Sequence, residues 1–277
     1  MKRTIKSVLK IPIIESKMKT KESGLYLQKK LNHVFFQPFY ENLYGFSLNG
    51  MGYGYGGGMK TNGELKVIDY LKKNLPKSRN IFFDVGANIG EYSFFLFNSF
   101  KTAKIYSFEP SLKTFNRLVE NVKEFGGVKP INIGLGDKNE KRILYIDDKQ
   151  SSISTLHNRK VNLKGKEEIN IMKLDTFCKM NDIDKIDFLK MDVEGNEFNI
   201  LLGAREMLKN RKIYAIQFEF GIRNIDSKTF FRDFWDILNK DYEIYRVFNK
   251  GICKIDRYSE KLEIFTGMNY FCILKLI

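Results

Sequence analysis

The run Asp84-Val85-Gly86-Ala87-Asn88-Ile89-Gly90 stands between a short apolar stretch, Ile81-Phe82-Phe83, and Glu91-Tyr92-Ser93-Phe94-Phe95-Leu96, which reads as a helix. Strand, glycine bend and helix in that order bring free helix amides to the carboxyl end of a strand, where polar ligand atoms are received. Glycine at 86 and 90 removes side chains that would crowd a ligand there. The dinucleotide fingerprint GxGxxG needs its middle glycine so that backbone can approach a pyrophosphate; Asn88 holds that position, which argues against nicotinamide and flavin cofactors. A methionine-derived donor presents an α-amino group and a carboxylate instead, which Asp84 and the bend amides can receive. Glu109 ends the next β-rich run, in Tyr106-Ser107-Phe108-Glu109-Pro110-Ser111. A carboxylate at that neighbouring strand end can accept both hydroxyls of a ribose, each charge-assisted bond contributing roughly 1.5 to 3 kcal/mol. Pro110 and Ser111 then border the adenine. The competing readings are structural: a tight turn at 86–90 and a helix-capping Glu109.

A second group of acids follows another strand, in Lys190-Met191-Asp192-Val193-Glu194-Gly195-Asn196-Glu197. Asp192 and Glu194 fall on one side of an extended turn, so either can accept or orient the proton of a reacting hydroxyl, Asp192 being the preferred one. Glu194 as a cap for the helix beginning near Asn196 is the alternative. Asp192, Glu194, Glu197 and Glu219 also offer oxygen ligands that suit magnesium; charges at strand ends are usually solvated or paired, and no metal is expected. Glu219, in Gln217-Phe218-Glu219-Phe220-Gly221, is placed in the acceptor pocket. Tyr53 and Tyr55, in the glycine-dense stretch 50–60, could close over the donor with their rings near a sulfonium.

The elements that must position these groups follow from periodicity. Leu65, Ile68, Leu71 and Leu75 recur at helical spacing and Pro76 closes the pattern. Leu112, Phe115, Leu118, Val119, Val122 and Phe125 make one apolar face of a helix over 111–125, with Ser111 at its N-cap. Strands are expected at 81–83, 104–108, 130–133, 187–191, 213–219, 242–248 and 270–276, with helices around Phe198 to Met207 and Phe230 to Leu238. The alternation gives an α/β fold on a seven-stranded, mostly parallel sheet. The last two strands are linked too closely for a crossover helix, so they form an antiparallel C-terminal hairpin. Residues 142–174 add a hairpin outside the main layer.

The composition, 43% hydrophobic and 29% charged over 277 residues, is that of a globular chain with one sizeable core. Cys178, Cys253 and Cys272 are widely separated and odd in number, and only His33 and His157 supply imidazole, so neither a disulfide framework nor a zinc site is expected. No stretch has the roughly 18 to 20 apolar residues of a membrane span, and residues 1–14 lack the apolar core and cleavage site of a leader. The expected compartment is reducing cytosol. A net charge of +14 favours anionic partners. It is densest at Lys2, Arg3, Lys6, Lys10, Lys17, Lys19, Lys21, Lys29 and Lys30, a solvated basic arm or one that meets the inner face of the membrane.

FFDVGANIGEYS, YSFEPS, INIGLGDKNE, LDTFCKM and FLKMDVEGNEFNILLGA, in this order, closely resemble the successive motifs of the FkbM-type methyltransferase family over about residues 60 to 220. The stretch GMGYGYGGGMKTNGE is similar to an N-terminal motif of some members, with Glu64 as its acid. The resemblance implies a class I Rossmann-like methyltransferase over 61–277, after a basic extension and glycine-rich loop over 1–60. It further implies S-adenosylmethionine as donor and a hydroxyl of a sugar, glycolipid, polysaccharide precursor or natural product as acceptor. By position it assigns donor contacts to Asp84, Gly86, Asn88, Gly90, Glu109 and Asp192, and an adenine-side contact to Asp137. Two rivals stay open. A nucleic-acid methyltransferase would fit the charge, although MDVEGN stands where base-amino enzymes usually carry an Asn/Asp-Pro-Pro-aromatic motif. A non-catalytic binding protein could keep the same fold.

Overall fold

A computed structural model of the chain describes residues 31–54, 58, 59, 61–75, 80–146, 156 and 165–276. Tyr55, Pro76, His157 and the basic arm at 1–30 lie outside the described residues. The chain divides into two units, residues 1–51 and 52–277. In the first, a 3-10 turn at Val34–Phe36 leads into helix α1, Gln37–Gly50, which has a proline in its first turn, where a missing N–H costs little. Phe39, Leu43 and Phe46, spaced i, i+4 and i+7 on α1, form an apolar stripe that is exposed.

The second unit starts with α2, Glu64–Asn74, which buries Val67, Ile68 and Leu71. Then come β1 (Ile81–Val85), α3 (Glu91–Ser99), β2 (Lys104–Phe108), α4 (Leu112–Val122) and β3 (Val128–Ile131). A small side layer holds β4 (Gly134–Leu135), β5 (Glu140–Ile146) and β6 (Gly165–Met172). The chain continues through α5 (Leu174–Met180), β7 (Ile186–Met191), α6 (Glu197–Gly203), α7 (Arg205–Lys209), β8 (Ile213–Phe220), α8 (Arg223–Ser227) and α9 (Phe231–Leu238). It finishes with β9 (Tyr242–Phe248), β10 (Gly251–Ile255) and β11 (Met268–Leu274).

The main sheet has the order β3-β2-β1-β7-β8-β11-β9-β10. Strands β3, β2, β1, β7 and β8 are parallel, whereas β11 lies antiparallel between β8 and β9. This is the class I Rossmann-like arrangement, with eight strands in place of the expected seven. The addition is β10, which returns from β9 through the two-residue turn at 249–250 and pairs Gly251 with Phe248. In its run, Gly-Ile-Cys-Lys-Ile, Ile252 packs against the core and Ile255 is buried, while Cys253 and Lys254 are exposed, as suits a short edge strand. The hairpin outside the main layer is β5 on β6, and β4 adds to it in parallel.

Parallel strands covered on both faces are largely apolar, and every residue of β7, Asp187 and Lys190 included, is buried. On one face, Phe82, Ile105, Phe188, Ala215 and Phe271 pack under Val67, Ile68 and Leu71 of α2 and Tyr92 and Leu96 of α3. On the other, Phe83, Tyr106 and Phe108 meet Phe177 of α5, and Phe218 stacks on Phe234 of α9 at 4.5 Å.

Two helices differ from their sequence patterns. The face of α4 is narrower than its six hydrophobes predict: Leu118 and Val122 are buried, but Leu112 and Val119 are exposed. Ser111 occupies the N-cap position without a side-chain bond to the helix; Glu167 of β6 receives the Leu112 N–H at 2.7 Å instead. The helix expected around Phe198 to Met207 breaks at Ala204 into α6 and α7, where Gly203 passes so close to Gly136 that a Cβ would lie 1.9 Å from its carbonyl oxygen.

Candidate active site

Register decides which side chains meet at the carboxyl ends of the strands. Asp84 of β1 pairs with Ser107 of β2 and Lys190 of β7, Lys190 with Gln217 of β8, and Gln217 with Phe271 of β11. These form one row across the face that α2 and α3 cover. Two residues further along each strand, Glu219 and Asp192 continue the same face beside Asn269. Glu64, the first residue of α2, and Tyr92 of α3 close over this row.

The result is a cavity of about 370 Å³ whose wall includes Asn62, Glu64, Tyr92, Lys190, Asp192 and Glu219, with Gly86, Ala87 and Asn88 at one side. A second cavity of about 150 Å³ shares Gly86, Asn88, Asp192 and Glu194 with it. The second extends between Glu109 and Pro110 and an apolar wall of Leu135, Leu144, Leu156, Ile169 and Ile171 from the side layer. The joined space falls in the roughly 300 to 1,000 Å³ range of small-molecule sites.

Glu109 faces the bend. Its Oε2 accepts the Asn88 N–H at 3.1 Å and its Oε1 the Ser111 N–H at 3.0 Å. Burial pushes its carboxyl up to about 7, against the lowering effect of the two backbone N–H groups. A single buried network roofs the larger cavity: Tyr92 donates to Gln217 Oε1 at 2.9 Å, and Gln217 Nε2 donates to Glu64 Oε1 and Asn269 Oδ1, each at 3.1 Å. Asn62 donates to the other Glu64 oxygen at 2.8 Å. Burial raises the Glu64 carboxyl, and it raises Glu219 well above the usual range, with Asp192, Glu197 and Glu194 adding to the effect on Glu219.

Lys190 is the cation at the centre. It is buried, with Nζ 3.3 Å from Asp192, 3.6 Å from Asp84 and 4.9 Å from the centre of the Tyr92 ring. Burial alone would lower its pKa, but the charges of Asp192, Asp84 and Glu64 outweigh that and raise it, so the ammonium form is held. The sequence pattern gave Lys190 no role, although a lysine inside an apolar parallel strand was the available signal. The apolar wall from Leu135, Leu144, Ile169 and Ile171 was also missed, because the hairpin's position over the bend is a long-range contact.

The structure moves several expected contacts. Asp84 is fully buried and lines neither cavity; it accepts from Ser93 Oγ at 2.6 Å and faces Lys190, because its position within β1 turns it under α3. Gly86 and Gly90 clear space for the chain itself. A Cβ on Gly86 would lie 1.9 Å from the Asp192 carbonyl oxygen, and one on Gly90 would meet Leu118 and Val122 at 2.8 and 2.9 Å. Both have positive φ, as does Asn88. The Gly86 and Ala87 amides are taken by the Phe108 carbonyl, so although both residues line the cavity with Asn88 and Ile89, these two amides are not offered to a ligand.

Gly90, Ser111 and Asp137 are off both cavity walls, and Leu135 lines the second. Tyr53 is turned into the core, 1% exposed, with its hydroxyl 3.4 Å from that of Tyr270; Gly52, Gly58 and Met59 of the glycine-rich stretch line the cavity in its place. Glu194 has φ +56 and pairs with Arg223, so Glu197, not Glu194, ties down the turn by accepting the Val193 and Gly195 N–H groups at 3.0 and 3.2 Å.

Residues 84–244 match the Methyltransferase FkbM domain. The chain belongs to the FkbM methyltransferase family. Its domain is therefore a methyltransferase domain, with S-adenosylmethionine as the methyl donor. Among curated relatives, the hexuronic acid methyltransferase AglP of Haloferax volcanii is 28% identical over 161 residues, 58% of this chain and 64% of that protein. The 2-O-methyltransferase NoeI of Sinorhizobium fredii is 25% identical over 171 residues, 56% of this chain and 70% of that protein. The methyltransferase sdnD of Sordaria araneosa is 29% identical over 164 residues, 48% of this chain and 63% of that protein.

The site fits that donor by its chemistry. A carboxylate end, an apolar slot and a cluster of acids suit a ribose, an adenine and the positive sulfonium and ammonium groups in turn.

Proposed function

We propose that this chain is an S-adenosylmethionine-dependent O-methyltransferase whose acceptor is a sugar hydroxyl. The observation that carries the reading is the meeting of Glu109, the Gly86 to Asn88 bend and Asp192 on one continuous cavity. Bound there, the donor supplies a methyl group already activated by its sulfonium. Glu109 accepts the ribose hydroxyls, Leu135, Leu144, Ile169 and Ile171 hold the adenine, and Glu64 and Asp192 face the positive groups. Lys190 keeps Asp192 in place, and Asp192 receives or orients the proton of the acceptor hydroxyl. Alignment and exclusion of water then do most of the work, an effect of several kcal/mol and up to roughly 7 to 11 in favourable cases.

The printed activities of the hexuronic acid and 2-O-methyltransferase relatives support a sugar acceptor. Against a nucleic acid, Lys190, the basic side chain among the described residues on the main cavity's wall, is already held by Asp192 and Asp84 and so is not offered to a phosphate, despite the chain's net charge of +14. The test is transfer of labelled methyl from S-adenosylmethionine to a panel of methyl pyranosides and to total RNA. Transfer to pyranosides alone is expected; transfer to RNA alone would sink the reading.

We also propose that the first unit meets an anionic membrane surface. Among the described residues no helix is long and apolar enough to cross a membrane. The exposed Phe39, Leu43 and Phe46 stripe follows a segment carrying Lys2, Arg3, Lys6, Lys10, Lys17, Lys19, Lys21, Lys29 and Lys30 against only Glu15 and Glu22. Co-sedimentation with phosphatidylglycerol vesicles is expected, lost in 0.5 M salt (about 4 Å of screening length) and absent with phosphatidylcholine. Equal binding to both lipids contradicts it.

A further inference from the structure

A third cavity, of about 180 Å³, adjoins the main one and shares Glu194 and Glu219 with it. The rest of its wall includes Glu197, Ile222, Arg223 and Asn224. None of these four is among the donor contacts proposed above.

Two of them carry buried polar atoms that have no partner among the described residues. They are Nδ2 of Asn224, a residue 1% exposed, and Oε2 of Glu197, 2% exposed. Each side chain is fixed by its other atom: Asn224 Oδ1 accepts the Gly221 N–H at 2.8 Å, and Glu197 Oε1 accepts the Val193 and Gly195 N–H groups. Asn224 thus holds one unpartnered donor and Glu197 one unpartnered carboxyl oxygen, on side chains that line one small cavity. Buried polar atoms in folded proteins are paired, so these two point to a ligand that both donates and accepts.

A hydroxyl does both, and a sugar ring carries several. Ile222, 63% exposed, offers an aliphatic surface for the C–H face of such a ring. Arg223 on its wall is already paired with Glu194, which disfavours an anionic ligand. The volume is below the roughly 300 Å³ at which independent small-molecule sites begin, which suits one part of a ligand that continues into the main cavity.

We propose that this cavity is a second sugar subsite, taking an uncharged pyranose ring joined to the one that is methylated, so that the acceptor is a glycoside of at least two rings. The proposal rests on the reading of the acceptor as a sugar.

The experiment compares labelled methyl transfer to methyl pyranosides and to the matching 1,4-linked disaccharides of gluco, galacto and manno configuration, with calorimetric titration of S-adenosylhomocysteine as control. The substitutions are Asn224→Asp and Glu197→Gln, which keep the inner oxygen of each side chain and exchange donor for acceptor at the outer atom. A neutral disaccharide is expected to exceed its monosaccharide in kcat/KM by on the order of tenfold, the effect of one or two buried hydrogen bonds. Both substitutions should bring that ratio near one, while Asn224→Asp leaves the affinity for S-adenosylhomocysteine unchanged. Equal turnover of mono- and disaccharides, or a ratio that survives both substitutions, overturns the subsite and leaves the sugar reading standing. Loss of S-adenosylhomocysteine binding in Asn224→Asp assigns the cavity to the donor and overturns the proposal. Transfer to no glycoside overturns the sugar reading and the subsite with it.

Discussion

Asp192→Asn is expected to lower kcat for methyl transfer by about 10²- to 10⁴-fold, the usual contribution of a positioned general base. The side chain stands at the junction of the two joined cavities and is the cavity-lining acid nearest to Lys190 Nζ, at 3.3 Å. Asparagine keeps the shape and an oxygen for Lys190 but can neither take a proton nor balance the ammonium. Because S-adenosylhomocysteine lacks the sulfonium charge that Asp192 faces, and its ribose and adenine contacts lie elsewhere, it should bind within about threefold of wild type, a difference below 1 kcal/mol. A variant that turns over at the native rate would remove Asp192 from the reaction, and one that cannot bind S-adenosylhomocysteine would make it a donor ligand only. Lys190→Met provides the companion measurement: if the ammonium holds Asp192 in place, kcat falls there too, with the donor still bound.

Substitution of Glu109 by Gln should weaken S-adenosylhomocysteine by roughly 10- to 150-fold at pH 8, the equivalent of about 1.5 to 3 kcal/mol for hydrogen bonds to a charged acceptor. The pH dependence separates this role from a structural one. In the donor-free protein the carboxyl is pushed up to about 7 by burial. Ribose hydroxyls donate to the ionised form, so binding expels a proton below pH 7; affinity should rise as pH climbs through about 7 and level off above it. The Gln variant should show no such rise, as isothermal titration at pH 5.5, 7 and 8.5 would reveal.

The same group has the opposite sign for folding. Its folded pKa lies above the model-peptide value of 4.5, so the stability it lends is fully present below about pH 4.5 and is lost as pH rises through about 7. Donor-free native protein should therefore lose more melting temperature between pH 6 and 8 than the Gln variant. A steeper loss in the variant would contradict the burial of a costly charge at this position.

Much of the site was legible because its signals are local. The glycine bend, the acid ending the following strand and the acids after β7 each occupy a few consecutive residues, and strand ends in an alternating β-α pattern collect at one edge of a parallel sheet. Gly86, Asn88, Glu109, Pro110, Asp192, Glu194, Glu219 and Glu64 accordingly meet on cavity walls. Direction was harder to read than location. Asp84 has the charge for an ammonium partner, but its register against Ser107 and Lys190 makes it a buried support. Tyr53 has the ring for a cation, yet pairs with Tyr270, a residue far away in the chain.

From the amino-acid order alone came the alternation of elements, the parallel sheet, the bend with its acid and hence the family, since these depend on periodicities of 2 and 3.6 and on glycine's backbone freedom within short windows. Tertiary packing decided the eighth strand, the apolar slot, the central place of Lys190 and the inward turn of Asp84 and Tyr53. The eighth strand is an edge pairing that its short run does not announce, and the other features depend on contacts between segments distant in the chain and on which helix covers each face. No local pattern carries that information, because a side chain's surroundings in a buried sheet are set by its neighbours in space.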